Sequence, residues 1–174
     1  MLSDLLESNP ETGDVRFKFR DDGWFDHCKN PKASAARWNG RLARKPAFAT
    51  VNSSGYLCGR VLHKTLMAHR VIWAIHNGYF PELEIDHING EKKDNRLCNL
   101  RLATLTQNQH NTGLRVSNST GYKGVSFRPD YGRFTSSISV NSKSIHLGSF
   151  DTAELASEAY NIAERHYHKE FYRG

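Results

Sequence analysis

Apolar and polar residues alternate along several short stretches in the N-terminal half of the chain. Residues 15–20 place apolar side chains on one face and basic ones on the other, and residues 48–67 alternate again between turn signals. A period of two is typical of strands. Ala68 to Asn77 follows a helical period instead, and Gly78 supplies the stop that often ends a helix.

The stretch from Glu84 to Asn111 predicts a strand, a loop, a second strand and a helix in close succession. The sequence alternates up to His87, turns at an Asn-Gly pair, alternates again over Leu100–Ala103, and then shows the Thr-x-x-Gln pattern of a helix capping box. Such a unit is too small to bury a core by itself. It can, however, hold several polar side chains around one point.

The chain changes character beyond this stretch. Residues 112–120 are polar, contain little to bury, and predict a linker. We therefore expect an N-terminal domain over residues 1–111, with its motif core at 83–111, and a C-terminal domain over 121–174. Three alternating stretches and a helical pattern predict that the C-terminal domain is a small three-stranded antiparallel sheet packed on one helix. The predicted fold class is α+β.

The C-terminal helix has a recognisable start. Asp151 and Glu154 fit a capping box, and the helical pattern continues to about Lys169.

Composition and charge favour an anionic partner. The 174 residues carry a net charge of +6, with 38% hydrophobic residues, which is enough for one ordinary core or two small ones. No acidic residue occurs between Asp26 and Glu82, where basic residues recur. The segment between Trp24 and Pro46 has no clear period and predicts loops that cross a phosphate backbone. Its candidate DNA contacts are Arg37, Arg41, Arg44 and Lys45.

Other partners and compartments receive less support. The three cysteines are widely spaced and form no C-x-x-C pair, so we expect no structural zinc site. Neither an amphipathic membrane helix nor a lipid signal is apparent, and we expect no membrane partner. The lack of a signal peptide or transmembrane run predicts a cytoplasmic protein.

The residues Asp86, His87 and Asn99 suit metal-assisted phosphodiester hydrolysis. A carboxylate and an amide or imidazole from the helix can hold a hard divalent cation. An imidazole with a pKa near ~6.5 can act as general base toward water, and Asn99 can fix its tautomer. Each residue alone also has a structural explanation, in which Asp86 caps a turn, His87 packs and the asparagines serve the loop. As an ordered set, they favour catalysis.

The segment DHINGEKKDNRLCNLRLAT, followed by QNQHN, resembles the HNH nuclease motif of phage and intron-encoded homing endonucleases. The resemblance implies a ββα-metal nuclease that cuts double-stranded DNA at chosen sites, acting in the cytoplasm of a bacterial host. It implies His87 as general base, Asp86 as metal ligand and Asn99 as the central Asn that orients His87. The implied metal is Mg²⁺, with Mn²⁺ as an alternative.

The helix offers two candidates for a second metal ligand. Matching the motif without gaps selects Asn108, and His110 is the competitor. Successive helical residues turn by about 100°, so these two side chains lie roughly opposite each other and cannot both face one ion. We prefer Asn108.

The segments GYKGVSFRP and HLGSFDTAELASEAYNIAERHY resemble the AP2/ERF DNA-binding domain of plant ethylene-response factors, which is also found appended to phage HNH endonucleases. The resemblance implies that the sheet enters the major groove, with Arg128 reading a base. Ser126, Ser137 and Ser139 stand where plant members carry charged residues, so the plant target sequence does not transfer. Acids outnumber bases after residue 151, which independently favours the sheet as the DNA-facing side. The candidate contacts are Lys123, Arg128, Arg133 and Lys143.

Two other functions fit the same residues. One is a nonspecific or RNA-directed nuclease of the same fold, and the other is a DNA-binding regulator whose HNH module is inactive. Incubation of supercoiled plasmid with and without Mg²⁺ separates an active DNA nuclease from both.

Overall fold

The structure is a computed structural model that describes residues 2–111, 114, 117–140 and 143–168, except for the side chains of Gln109 and His110. It contains two compact units, Met1–Leu102 and Ala103–Gly174. The predicted α+β class is confirmed. The predicted domain boundaries stay a prediction, and part of the predicted linker and the last six residues of the C-terminal domain lie outside the described residues.

The first unit consists of short strands and three α-helices, with two short 3-10 helices at Asp22–Phe25 and Leu97–Asn99. β1 and β2 pair antiparallel, β3, β4 and β5 form an antiparallel sheet in that order, and β6 pairs with β7. The elements are α1 (Leu2–Leu5), β1 (Leu6–Ser8), β2 (Val15–Phe17), α2 (Pro31–Leu42), β3 (Thr50–Val51), β4 (Leu57–Val61), β5 (Lys64–Met67), α3 (Ala68–Asn77), β6 (Glu84–His87) and β7 (Leu100–Ala103).

Helix α3 forms as predicted and anchors the core of this unit. Gly78 adopts φ +80° at its C-terminal end and donates its N–H to the Ala74 carbonyl at 3.1 Å, a left-handed cap that glycine adopts without strain. Val71 and Ile72 are fully buried in the same apolar cluster as Ile85 of β6. The helix therefore packs against the strand that carries Asp86 and His87.

Helix α2 corrects the expectation of loops between Trp24 and Pro46. Asn30 caps it by accepting the Ala33 N–H at 3.1 Å, and Pro31 occupies the first turn. One of its inward-facing residues is the polar Asn39. The Asn39 side-chain amide accepts the Arg20 N–H at 3.0 Å and donates to the Arg20 carbonyl at 2.7 Å. That polar inward position hides the helical period in the sequence.

The second unit contains the predicted sheet and helix. β9 is the central strand, antiparallel to β8 and to β10, and Tyr160 and Ala163 of the long helix pack against Ile138. The elements are α4 (Leu105–His110), β8 (Val125–Arg128), β9 (Arg133–Val140), β10 (Lys143–Phe150) and α5 (Ala153–His168). None of the described helices is both long and apolar enough to span a bilayer.

The start of α5 differs from the prediction by one residue. The Thr152 hydroxyl, and not Asp151, accepts the Leu155 N–H at 3.3 Å. Asp151 instead pairs with Arg133 at 3.0 Å. The predicted helix end near Lys169 lies outside the described residues.

Candidate active site

Asp86 and His87 are consecutive residues at the end of β6. Ile85, buried at 3% exposure, fixes the strand in the core of the unit. Both polar residues are themselves only 4% exposed. Two buried ionisable side chains at the end of a short strand need polar partners, and each of them has one.

His87 lies in a small aromatic cluster. Its Nε2 is 3.0 Å from Oδ1 of Asn95, a residue with 1% exposure. The ring of His69 meets it edge-on with centroids 5.1 Å apart, and the Tyr56 ring lies 5.8 Å away. These contacts restrict the orientation of the imidazole on several sides.

Asn99 closes the loop between β6 and β7. Its Oδ1 accepts the Asn89 N–H at 3.0 Å, and its Nδ2 donates to Asn89 Oδ1 at 2.9 Å and to the Asp94 carbonyl at 2.8 Å. The hydrogen bond that we expected from Asn99 to His87 is thus made by Asn95. The reason is geometric, because the amide of Asn99 is fully engaged by the loop that it closes.

The loop itself is held by Asp94. Its carboxylate accepts from Arg96 at 2.8 and 2.6 Å and from Asn89 at 2.7 Å. The Arg96 hydrogen bonds hold the pKa of Asp94 well below its usual range. Asp94 is therefore a permanently ionised structural group, and Asp86 remains the carboxylate beside the imidazole.

Asp86 forms an ion pair that the sequence analysis missed. Its Oδ2 accepts from Nε and Nη2 of Arg101 at 2.8 and 2.7 Å, and both side chains are largely buried. Arg101 lies between two apolar residues in β7. The sequence signal for Arg101 is a basic residue between two apolar ones in a strand that is predicted to lie beside a catalytic carboxylate.

The donor set suits a hard cation with few protein ligands. Among the described residues no group of three or more His, Cys, Asp or Glu could hold a metal. Mg²⁺ is usually bound by one or two carboxylates together with substrate phosphate and water, and the buried carboxylate of Asp86 fits that chemistry. Asn108 is a partly exposed residue of α4, and the side chain of the alternative, His110, lies outside the described residues.

His69 is a buried histidine that forms no ion pair with the described residues. Burial, with a smaller contribution from His87, lowers the pKa of His69 from 6.5 to about 3. Its Nδ1 is buried without a hydrogen-bond partner. The ring is consequently neutral near physiological pH, which agrees with an orienting or structural role rather than a catalytic one.

The four N-terminal candidates for DNA contact are all exposed. Arg37 and Arg41 lie four residues apart on α2 and therefore share a face, roughly opposite the buried Ala35. Arg44 and Lys45 follow Ala43, the residue that caps the C-terminal end of the helix. The missed helix thus places Arg37 and Arg41 on one exposed face, and we group them with the nearby exposed Arg44 and Lys45 as the α2 basic face (Arg37, Arg41, Arg44 and Lys45).

The four C-terminal candidates divide into two kinds. Arg128 is exposed and lies directly opposite Arg133 on the neighbouring strand, and Lys143 is exposed at the start of β10. Lys123 differs, since its Nζ bonds Oε1 of Glu164 at 2.6 Å. Glu164 has 1% exposure, and a buried carboxylate requires a partner. This pairing gives Lys123 a structural partner, and its assignment as a DNA contact stays a prediction.

Comparison with known proteins gives a family match over the segment that contains this site. Residues 66–110 match the family model described as HNH endonuclease. Protein 3.8 of Escherichia phage T7 is 30% identical over 112 residues, which cover 64% of this chain and 92% of that protein. An HNH endonuclease of Acanthamoeba polyphaga mimivirus is 32% identical over 123 residues, or 70% of this chain and 63% of the viral protein.

A solved structure also aligns along most of the chain. It describes DNA binding and cleavage by the HNH homing endonuclease I-HmuI, with a TM-score of 0.40 and 19% identity over 97% of this chain and 88% of that one. The sequence relationships, which include the motif built around Asp86 and His87, establish that the chain belongs to the HNH endonuclease family.

Proposed function

We propose that this chain is a site-directed DNA endonuclease of the phage homing type, which hydrolyses phosphodiester bonds of double-stranded DNA with a divalent metal, Mg²⁺ or Mn²⁺. The buried Asp86–His87 pair beside a loop fixed by Asn99 is the observation that carries the proposal. The phage and viral relatives support action in the cytoplasm of an infected cell.

The chemistry requires a base, a phosphate-binding charge and an ordered loop. His87 accepts the proton of the attacking water, a contribution typically worth about 10²–10⁴-fold in rate. Asp86 and Asn108 would hold the metal, which, when bound, supplies positive charge to the phosphate oxygens. Arg101 forms an ion pair with the Asp86 carboxylate and orients it in its buried position. Asn99 holds the loop that places His87.

DNA binding is assigned to two basic surfaces. The α2 basic face serves the nuclease domain, which we propose to span residues 1–111. An AP2/ERF-like domain over residues 121–174, joined by a linker at 112–120, would contact DNA through Arg128, Arg133 and Lys143. The exposed Arg128 supports this, because it lies opposite Arg133, whose ion pair with Asp151 is itself exposed, and neighbouring basic side chains in a sheet favour an anionic ligand.

Plasmid cleavage tests the proposal. We expect the full chain to nick or linearise supercoiled plasmid with Mg²⁺ and not with a chelator. His87→Ala should lower the rate by about 10²–10⁴-fold without weakening DNA binding. The exposed histidine variant His76→Ala serves as the control and should cut like the wild type. Equal rates for His87→Ala and wild type, or cleavage of RNA in preference to duplex DNA, would reject the proposal.

A further inference from the structure

The contact between His87 and Asn95 indicates which nitrogen of the His87 ring can accept a proton from water. Nε2 of His87 lies 3.0 Å from Oδ1 of Asn95. An amide oxygen only accepts hydrogen bonds, so with the Asn95 amide oriented in this way Nε2 carries the hydrogen. In a neutral imidazole the other nitrogen then holds the lone pair. The contact in this orientation therefore favours the tautomer in which Nδ1 is the basic atom.

Asn95 is itself held by a distant part of the chain. The turn at residues 9–13, which we call the N-terminal turn, is closed by the Gly13 N–H bonding to the Asn9 carbonyl at 2.9 Å. The carbonyl of Pro10, within that turn, accepts the Leu97 N–H at 2.8 Å. One hydrogen bond therefore ties the turn to the segment that carries Asn95.

A second contact is steric. Gly13 adopts φ +74°, and a Cβ added there would lie 2.6 Å from the carbonyl carbon of Asn95 and 2.8 Å from the N of Arg96. No side chain fits at such distances from backbone atoms. The N-terminal turn consequently rests directly on the peptide that joins Asn95 to Arg96.

We propose that Asn95 is the positioning residue for His87, and that the N-terminal turn holds Asn95 in place so that Nδ1 accepts the proton. This inference rests on the proposed nuclease function. In the step, the water O–H bond breaks, its proton goes to Nδ1, and the oxygen forms the new P–O bond. The opposite P–O bond breaks, and its oxygen leaves with the bonding electron pair. The Nε2–H remains bonded to Asn95 and stabilises the resulting imidazolium.

The wild-type protein allows a direct test. In the full chain labelled with ¹⁵N-histidine, the nitrogen shifts of the neutral His87 ring should show hydrogen on Nε2. The amide nitrogen of Asn95 is buried without a partner, and a rotated amide would turn that donor toward Nε2. Hydrogen on Nδ1 would therefore overturn the proposal. This measurement needs no variant and no cleavage assay.

Two substitutions at Asn95 separate acceptor from volume. Asn95→Leu keeps a similar volume and removes the acceptor, so it should lose the tautomer preference and cut roughly 10- to 100-fold more slowly, with unchanged DNA affinity. Asn95→Asp keeps an acceptor oxygen and should retain the Nε2–H tautomer and more of the rate. Wild-type cleavage and tautomer in a folded Asn95→Leu variant would contradict the inference.

The N-terminal turn has a matched control elsewhere in the chain. Gly78 has a similar φ of +80°, but a Cβ there would meet nothing within 4 Å. Gly13→Ala and Gly78→Ala therefore impose similar backbone strain, whereas only Gly13→Ala displaces the Asn95 backbone. We expect a loss of the Nε2–H signature and of cleavage in Gly13→Ala alone. Equal behaviour of the two variants would remove the turn from the proposal.

The outcomes also distinguish this inference from the proposed function. Undiminished cleavage by His87→Ala means that His87 is not the base. Loss of cleavage in His87→Ala, together with wild-type behaviour of Asn95→Leu, rejects only the positioning role of Asn95.

Discussion

The imidazole rings of His69 and His87 meet edge to face, with centroids 5.1 Å apart and an interplanar angle of 79°. The two histidines come from α3 and β6, and Tyr56 packs against both. Because His69 is buried without a counter-charge, a proton on it would destabilise the fold beside the candidate base.

A pH dependence of stability follows from the lowered pKa of His69. The unfolded chain binds this proton below pH 6.5, but the folded chain binds it only near pH 3. The stabilisation from the neutral ring is therefore complete above pH 6.5 and is lost as the pH falls, by at most about 1.4 kcal/mol per pH unit. Denaturant unfolding of His69→Phe should show this pH dependence removed. The exposed His27→Phe should keep it, and a wild-type slope in His69→Phe would refute the assignment.

The choice of helix ligand is open to a paired experiment. Asn108→Ala should raise the Mg²⁺ concentration needed for half-maximal cleavage by roughly 10-fold or more. Removing a residue that only hydrogen-bonds a metal ligand already lowers metal affinity or activity by about 10–100-fold. His110→Ala should change it far less, because helical residues two positions apart differ by about 200° in direction and cannot both face one ion. Metal titrations of cleavage compare them. A larger effect at His110 would make that histidine the ligand.

Lys123 should behave as a structural residue and not as a DNA contact. Lys123→Met leaves the buried carboxylate of Glu164 without its cationic partner, with the Tyr160 hydroxyl as a remaining donor, which costs up to about 3–5 kcal/mol. Lys123→Met combined with Glu164→Leu should recover much of that loss. Thermal unfolding measures the effect, with the exposed Lys143→Met as the control that unfolds like the wild type. Unchanged stability in Lys123→Met would show that the pair contributes nothing.

The α2 basic face should determine part of the salt dependence of DNA binding. Each phosphate contact adds about 0.9 to the slope of log affinity against log salt, so Arg37→Ala with Arg41→Ala should flatten it by up to about 1.8. Arg165→Ala offers an exposed helical arginine on the acid-rich α5 and should leave the slope unchanged. Duplex binding across salt concentrations decides the matter. If the double variant and Arg165→Ala have equal slopes of log affinity against log salt, the α2 basic face does not contact DNA.

Local patterns in the sequence determined the elements that local forces build. The capping box at the start of α4 forms as predicted, with Thr104 N–H to Gln107 Oε1 at 2.8 Å and Gln107 N–H to Thr104 Oγ1 at 3.3 Å. Strand β7 and helix α3 have the predicted bounds. In each case the periodicity and the turn residues lie within a few positions of the element that they specify.

Only the tertiary structure decided which polar side chains meet. Asn95 and Asn99 lie four residues apart in one loop, and nothing in their spacing shows that Asn95 bonds the imidazole while Asn99 bonds the loop. Lys123 looks like any basic residue of a DNA-facing sheet until α5 brings Glu164 to it, forty-one positions along the chain. A hydrogen bond or ion pair depends on the direction of two side chains after the chain has packed. The sequence therefore determined which groups were present, and packing determined which of them became partners.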